Sequence, residues 1–255
     1  MTPIRLGITG GIGSGKSVVS RILRTLGIPV FDCDAESKRL CVVHPGIREQ
    51  LIALVGPEVY LPPIFNYQLS ITNYQLPILN SQFSIINYQL LIINYQLSIL
   101  NSQLSITNYQ LPIINYQLNK PLLSEYLFAS AEHVRQVNAI IHPAVRDAFV
   151  HWADKQSSRL VGIESAILFE AGFDDVVDSV VMVAAPLELR VKRAMQRDGA
   201  PKSAIEERIR QQMPDEEKQS RSQFVLVNDG KTALIPQVLD VVDTLSQKYC
   251  LSSQP

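Results

Sequence analysis

The stretch from Leu6 to Ser17, LGITGGIGSGKS, constrains this chain more than any other: a short apolar run breaks into glycines and ends in Lys-Ser. Gly10, four residues, and then Gly15-Lys16-Ser17 fit the spacing G-x-x-x-x-G-K-[ST], with a strand-like run before it and an apolar-periodic segment, Val18 to Leu26, after it. Such a strand, glycine turn and helix make a phosphate-binding loop. Gly11, Gly13 and Gly15 let backbone amides turn inward where side chains would collide with phosphates. The expected nucleotide-binding set is Gly11, Ile12, Gly13, Ser14, Gly15, Lys16, Ser17 and Val18. Lys16 carries charge to the β and γ phosphates, Ser17 offers its hydroxyl to magnesium, and the first turn of the helix adds its dipole. A nucleoside triphosphate is the implied ligand.

With 255 residues and 46% hydrophobic content, the chain can bury a large core. A formal net charge of -1 and a pI near 6.4 argue against a surface built to bind nucleic acid. Cys33, Cys41 and Cys250 form no C-x-x-C pair, so they read as reduced thiols, which fits the cytoplasm. No leader peptide and no membrane-spanning run is expected.

From Asn66 the sequence repeats every seven residues, NYQLSIT, NYQLPIL, NSQFSII and onward, with Asn recurring at 66, 73, 80, 87, 94, 101, 108 and 115. A coiled coil is rejected: the block lacks charges for the flanking positions, is rich in Asn, Ser, Tyr and Ile, and carries Pro77 and Pro112. Short strands, a small solenoid and disorder all stay open. The near-identity of the copies reads as a tandem expansion over 64–117 set into a host of about 200 residues, a single-domain length. Lengthening a surface turn from about four to about 55 residues costs only about 2 kcal/mol of closure entropy. The chain is expected to be a monomer unless this block self-associates.

Along the host, Pro29 to Asp34 reads as a second strand ending in two acids. Ligands of open parallel sheets lie beyond the carboxyl ends of the strands, on the edge that carries the glycine loop. Asp34 is therefore a candidate general base and Asp32 a candidate aid to magnesium, with helix capping of Ala35 to Val43 as the alternative for both. Pro45 to Val55, Pro121 to Ser130 and Glu132 to Lys155 read as helices, with a bend expected at His142 because Pro143 follows it. Arg159 to Ala166 and Ser179 to Ala185 read as strands, and Glu164 is a third acid at the same edge. Arg190, Arg193 and Arg197 share one face of a helix over Leu187 to Arg197, and the latter two are candidate lid cations over a transferring phosphoryl group. Ser203 to Glu206 has the pattern of a capping box that starts the return helix. Phe224 to Val227 reads as the last strand and Thr232 to Lys248 as the closing helix, followed by a frayed tail over 249–255.

These pieces resemble the dephospho-coenzyme A kinases. The resemblance spans Ile4 to about Leu245 apart from the repeats, and rests on TGGIGSGKS at Thr9 to Ser17, FDCD at Phe31 to Asp34, LNKPLLSEYLF at Leu118 to Phe128, IHP at Ile141 to Pro143, LFEAGF at Leu168 to Phe173, and KRAMQRDG at Lys192 to Gly199. It implies an α/β fold of the P-loop, nucleoside-kinase-like type: a parallel sheet covered by helices on both faces, with a helical acceptor domain and a lid. The core would comprise 1–34 and 156–248 with the lid at about 187–215, and the acceptor domain 35–155. The implied reaction is ATP-dependent phosphorylation of the ribose 3'-hydroxyl of dephospho-coenzyme A, with Mg2+. Asp34 matches the family's base, Lys16 and Ser17 its phosphate and metal contacts, and Arg193 and Arg197 its lid cations. Asp34, Lys38, His142 and Glu164 are the implied acceptor-side residues. The residues alone also allow a P-loop kinase of a nucleoside or small hydroxy acid, or a nucleotide-binding protein with a self-associating repeat.

Overall fold

A computed structural model describes residues 2–61 and 117–251. The repeat block up to Tyr116 therefore lies outside the described residues. One compact unit comprises 1–60 and 118–255, a second 61–117.

Five parallel strands form the sheet of the first unit: β1 (Ile4–Thr9), β2 (Val30–Asp32), β5 (Leu160–Glu164), β6 (Ser179–Ala184) and β7 (Phe224–Val227). They lie in the order β2-β5-β1-β6-β7. Two short strands, β3 (Tyr60–Leu61) and β4 (Gln117–Leu118), form a separate pair. The sheet strands are almost continuously apolar, as burial on both faces requires. Alternation along β2 shows the two faces. Val30 joins Leu6, Ile8, Val181 and Val183 in the cluster that receives α1 (Lys16–Thr25) through Val19 and Leu23, and α9 (Leu234–Leu251) through Val238, Val241 and Leu245. Its neighbour Phe31 points the other way and meets Phe149 and Trp152 of α5 (Ala131–Asp154), ring centroids 5.5 and 5.4 Å away. On that second face Gly7 admits Leu168, whose methyl would stand 2.7 Å from any Cβ placed there.

Register aligns the strand ends. Asp32 pairs with Glu164 across β2 and β5, and Ile8 with Glu164 across β1 and β5. Both acids and the start of the glycine loop thus reach one edge of the sheet. The remaining helices are α2 (Cys33–Val43), α3 (Pro45–Val55), α4 (Lys120–Ala129), α6 (Leu187–Asp198), α7 (Lys202–Arg210) and α8 (Asp215–Arg221).

Four local expectations are corrected. β2 ends at Asp32 and the helix begins at Cys33, because Asp32 accepts a hydrogen bond from Ala35 N (3.0 Å) as its N-cap. Helix α5 runs unbroken through His142 and Pro143. Its stripe of Val137, Ile141, Val145, Phe149 and Ala153 is buried along its whole length, and that packing keeps His142 helical although the following proline disfavours it. The capping box at Ser203 does not form: the cap of α7 lies two residues earlier, at Pro201, which offers no side-chain hydrogen bond. The last helix starts at Leu234 and continues to Leu251, so the first residues of the supposed tail are helical.

Candidate active site

The loop between β1 and α1 turns on glycines that no other residue could replace. Gly10, Gly13 and Gly15 have φ of 140°, 76° and 103°. At Gly15 an added Cβ would also stand 2.0 Å from the Asn228 side chain, which donates from Nδ2 to Ser14 O at 2.7 Å. Gly15 precedes the first residue of α1, so the loop ends in the free amides of a helix N-terminus. Lys16 Nζ donates to the carbonyls of Gly10 and Gly11 at 2.9 and 3.2 Å. Burial of its ammonium lowers its pKa from 10.5 to about 8; nearby Glu164 opposes that shift, and Lys218 and Arg190 add to it.

A cleft of about 600 Å³ opens beside this loop and gathers Lys16, Ser17, Asp32, Asp34, Glu164 and Arg197 on its walls. Arg193 and His142 also line it. The acids Asp32, Asp34 and Glu164 and the cations Lys16, Arg193 and Arg197 singled out from the sequence all line this cleft, whereas Lys38 reaches it only through Asp34 and Arg190 does not line it. Asp34 stands in the first turn of α2 and forms an ion pair with Lys38 one turn on. Both side chains are largely exposed, so the pair contributes under about 1 kcal/mol and leaves the carboxylate available. Arg197 Nε is held by Asp198 at 2.6 Å, and Arg208 joins the same carboxylate at 3.3 Å. Arg193 donates to Asn228 O at 3.1 Å. Burial lowers the pKa of His142, whose ring lies 6.1 Å from that of Phe173. Cys33 also lines the cleft as a free, buried thiol whose pKa is pushed up by burial and then by Asp32 and Glu164, which favours the protonated thiol.

Sequence reasoning missed four residues of this neighbourhood. Asn228 links the loop to Arg193. Arg190, read only as one of an arginine stripe, is buried with 3% exposure, donates to Ile12 O at 3.0 Å and pairs with Asp215. Gln212 accepts from Ile12 N at 3.1 Å. Lys218 is fully buried, bound to Ala166 O at 2.7 Å and Glu170 at 3.0 Å. An Arg at helical spacing and an Asn after the last strand were visible, but nothing local marks Gln212 or Lys218 as buried partners.

Comparison with known proteins turns this phosphate site into a more specific statement. A model of a family described as dephospho-CoA kinase matches residues 4–62 and 107–233. The chain belongs to the dephospho-CoA kinase family. A dephospho-CoA kinase of Bacteroides fragilis is 43% identical over 246 residues, covering 96% of this chain and 94% of the relative. One from Porphyromonas gingivalis is 33% identical over 246 residues and covers 96% of each. Among solved structures, a Thermus thermophilus protein superposes with a TM-score of 0.67 at 29% identity, covering 96% of this chain and 98% of its own. A dephospho-CoA kinase from Campylobacter jejuni shares the fold, with a TM-score of 0.52 at 19% identity over 96% of this chain and 98% of its own. The dephospho-CoA kinases are phosphotransferases with an alcohol acceptor, and the parallel sheet flanked by helices is the P-loop kinase fold the sequence predicts.

Proposed function

We propose that this member of the dephospho-CoA kinase family transfers the γ-phosphoryl group of ATP to the ribose 3'-hydroxyl of dephospho-coenzyme A, completing coenzyme A. The observation that carries this reading is the meeting of Lys16, Asp34 and Arg197 in one cleft of a chain of that family. In the reaction the acceptor oxygen bonds to the γ phosphorus, the bond to the β–γ bridging oxygen breaks and its electrons leave with ADP. The hydroxyl proton passes to the Asp34 carboxylate. Lys16, the loop amides of Gly13, Gly15, Lys16 and Ser17, and the α1 dipole hold the phosphates in line, while the amides of Ile12, Ser14 and Val18 are bonded to Gln212, Gly11 O and Gly15 O. Arg197 and Arg193 neutralise charge on the transferring group. The Arg197–Asp198 pair is 62% and 21% exposed, so its surrender to phosphate costs little.

No group of three or more His, Cys, Asp or Glu side chains suited to a metal occurs among the described residues. Ser17 would hold a magnesium ion that arrives with ATP, with Asp32 and Glu164 on the same wall of the cleft. The chemistry such an ion would supply is neutralisation of phosphate charge. Asp32 spends one oxygen on capping α2, which limits it to an outer contact. Lys38, His142 and Glu164 face the acceptor. Among the described residues no helix is long and apolar enough to cross a membrane, and a monomeric enzyme of the cytoplasm is the simplest setting. The repeats over 64–117 are an insertion into the acceptor side, a reading supported by the family match passing over 63–106.

The deciding experiment measures ADP release by full-length protein with MgATP and dephospho-coenzyme A, against a control lacking the acceptor. Acceptor-dependent release establishes the reaction. Release with a nucleoside or small hydroxy acid instead would move the acceptor assignment, and no release with any of them would overturn it.

A further inference from the structure

Ile12 is the tip of the phosphate loop, and it is held by three different features of one segment. Arg190 Nε, near the start of α6, donates to its carbonyl at 3.0 Å. Gln212, after α7, accepts from its amide at 3.1 Å. Its side chain packs against Val191, Ala194 and Ile205, the small core formed between α6 and α7. Arg190 is itself fixed by Asp215, at the start of α8. The guanidinium fills the space beside Gly11, where an added Cβ would stand 1.8 Å from Nη2.

We infer that Arg190 and Gln212 are positioning residues that clamp both polar groups of Ile12, so that the helical hairpin α6–α7 sets the shape of the phosphate loop before nucleotide arrives. The inference rests on reading that loop as the ATP site. The next residues extend the same attachment: Met213 N donates to Glu170 at 2.8 Å, and Lys218 bonds the same carboxylate and Ala166 O. Arg197 on α6 is thereby referenced to the loop it must serve. A loop held from one side only would have to order itself on binding, and that cost would appear as lost affinity.

The test compares Gln212→Met, Arg190→Met and the double variant in the full-length chain. Each Met keeps much of the side-chain length and deletes the polar contact. The readouts are ATP affinity by calorimetry, the exchange rate of the Ile12 amide by NMR, the thermal midpoint, and the KM for dephospho-coenzyme A. A clamp predicts about a tenfold loss of ATP affinity in each single variant. It predicts faster exchange at Ile12 in Gln212→Met, and a double variant little weaker than the worse single, because both contacts hold one peptide. The KM for dephospho-coenzyme A should stay within about twofold. Folded single variants with parental ATP affinity, or losses that simply add, would overturn the inference. If Arg190→Met fails to fold, Gln212→Met decides alone through affinity and exchange. Because the readout is nucleotide affinity, absence of acceptor-dependent turnover in the parent counts against the proposed reaction and not against the clamp.

Discussion

Lys16 Nζ donates to Gly10 O at 2.9 Å, so the cation of the phosphate loop is turned back onto the strand end from which the loop springs. Phosphate oxygens are better partners than these carbonyls, since a charged acceptor roughly doubles the strength of the bond. On the proposed reading, ATP binding would exchange an internal contact for an external one at the same nitrogen.

The pH dependence follows from that exchange. The folded pKa of Lys16, about 8, lies below its ordinary 10.5. Burial of the charged form therefore costs stability below about pH 8, and the cost is relieved as pH rises toward 10.5, where the unfolded chain loses its proton too. Bound phosphates pull the pKa back up. ATP binding at about pH 8.5 should then take up a fraction of a proton, and affinity should fall as pH rises beyond about 8. Calorimetry in two buffers of different ionisation enthalpy reads the uptake directly, and Lys16→Met should abolish it. Equal heats in both buffers would show the ammonium fully charged before binding.

Asp34→Asn should lower kcat by about 10² to 10⁴ with ATP affinity kept within about twofold, the signature of a lost general base. Steady-state rates beside calorimetric titration separate the two effects. Equal losses in kcat and ATP binding would remove Asp34 from the base role.

Arg197→Met should cost at least about 100-fold in kcat, as removal of a phosphoryl-stabilising cation does. Its side chain is 62% exposed and pairs only locally, so the thermal midpoint should hardly change. A drop in thermal midpoint without a rate effect would make Arg197 a structural residue of α6.

Gly11→Ala tests packing at the loop. The three atoms nearest to the added methyl all belong to the Arg190 guanidinium, which has no room to retreat while it holds Ile12 and Asp215. ATP affinity should fall by more than about tenfold. In an Arg190→Ala background the same substitution should add little. Full additivity would place the clash elsewhere.

Phe149→Ala should destabilise the fold by about 3 to 5 kcal/mol, since the ring is fully buried against Phe31 and Trp152. Urea denaturation measures it. Phe149 does not line the cleft, so the folded fraction should bind ATP normally.

Much of this site was legible because its chemistry is written in consecutive residues. The run Gly10 to Ser17 specifies strand, turn and helix by itself, and Asp34 and Glu164 follow from strands whose shared carboxyl edge is a rule of parallel sheets. What stayed hidden depends on partners far apart in sequence. Gln212 lies 200 residues from Ile12, and its side chain gains meaning only when α7 returns beside the loop. Pro143 misled for a related reason: a dipeptide preference pushes His142 out of the helical region, while five buried side chains along α5 keep the helix continuous through it. Asp32 carried two readings, and the register that brings it to the cleft also makes it the cap of α2.

Asn119 N donates to Val59 O at 2.8 Å, and its side-chain amide donates to Glu58 O at 3.0 Å. With the pairing of β3 and β4, the host chain is sewn shut at the place where the repeats depart from it. The seam makes this junction a natural opening for the covalent chain. New termini cut between Leu61 and Gln117, with the old ends joined or left free, would still be held in register by the host's own backbone. The length of peptide spanning the seam is then only loosely tied to the host's stability, since each doubling of a loop adds only about 0.6 kcal/mol of closure cost.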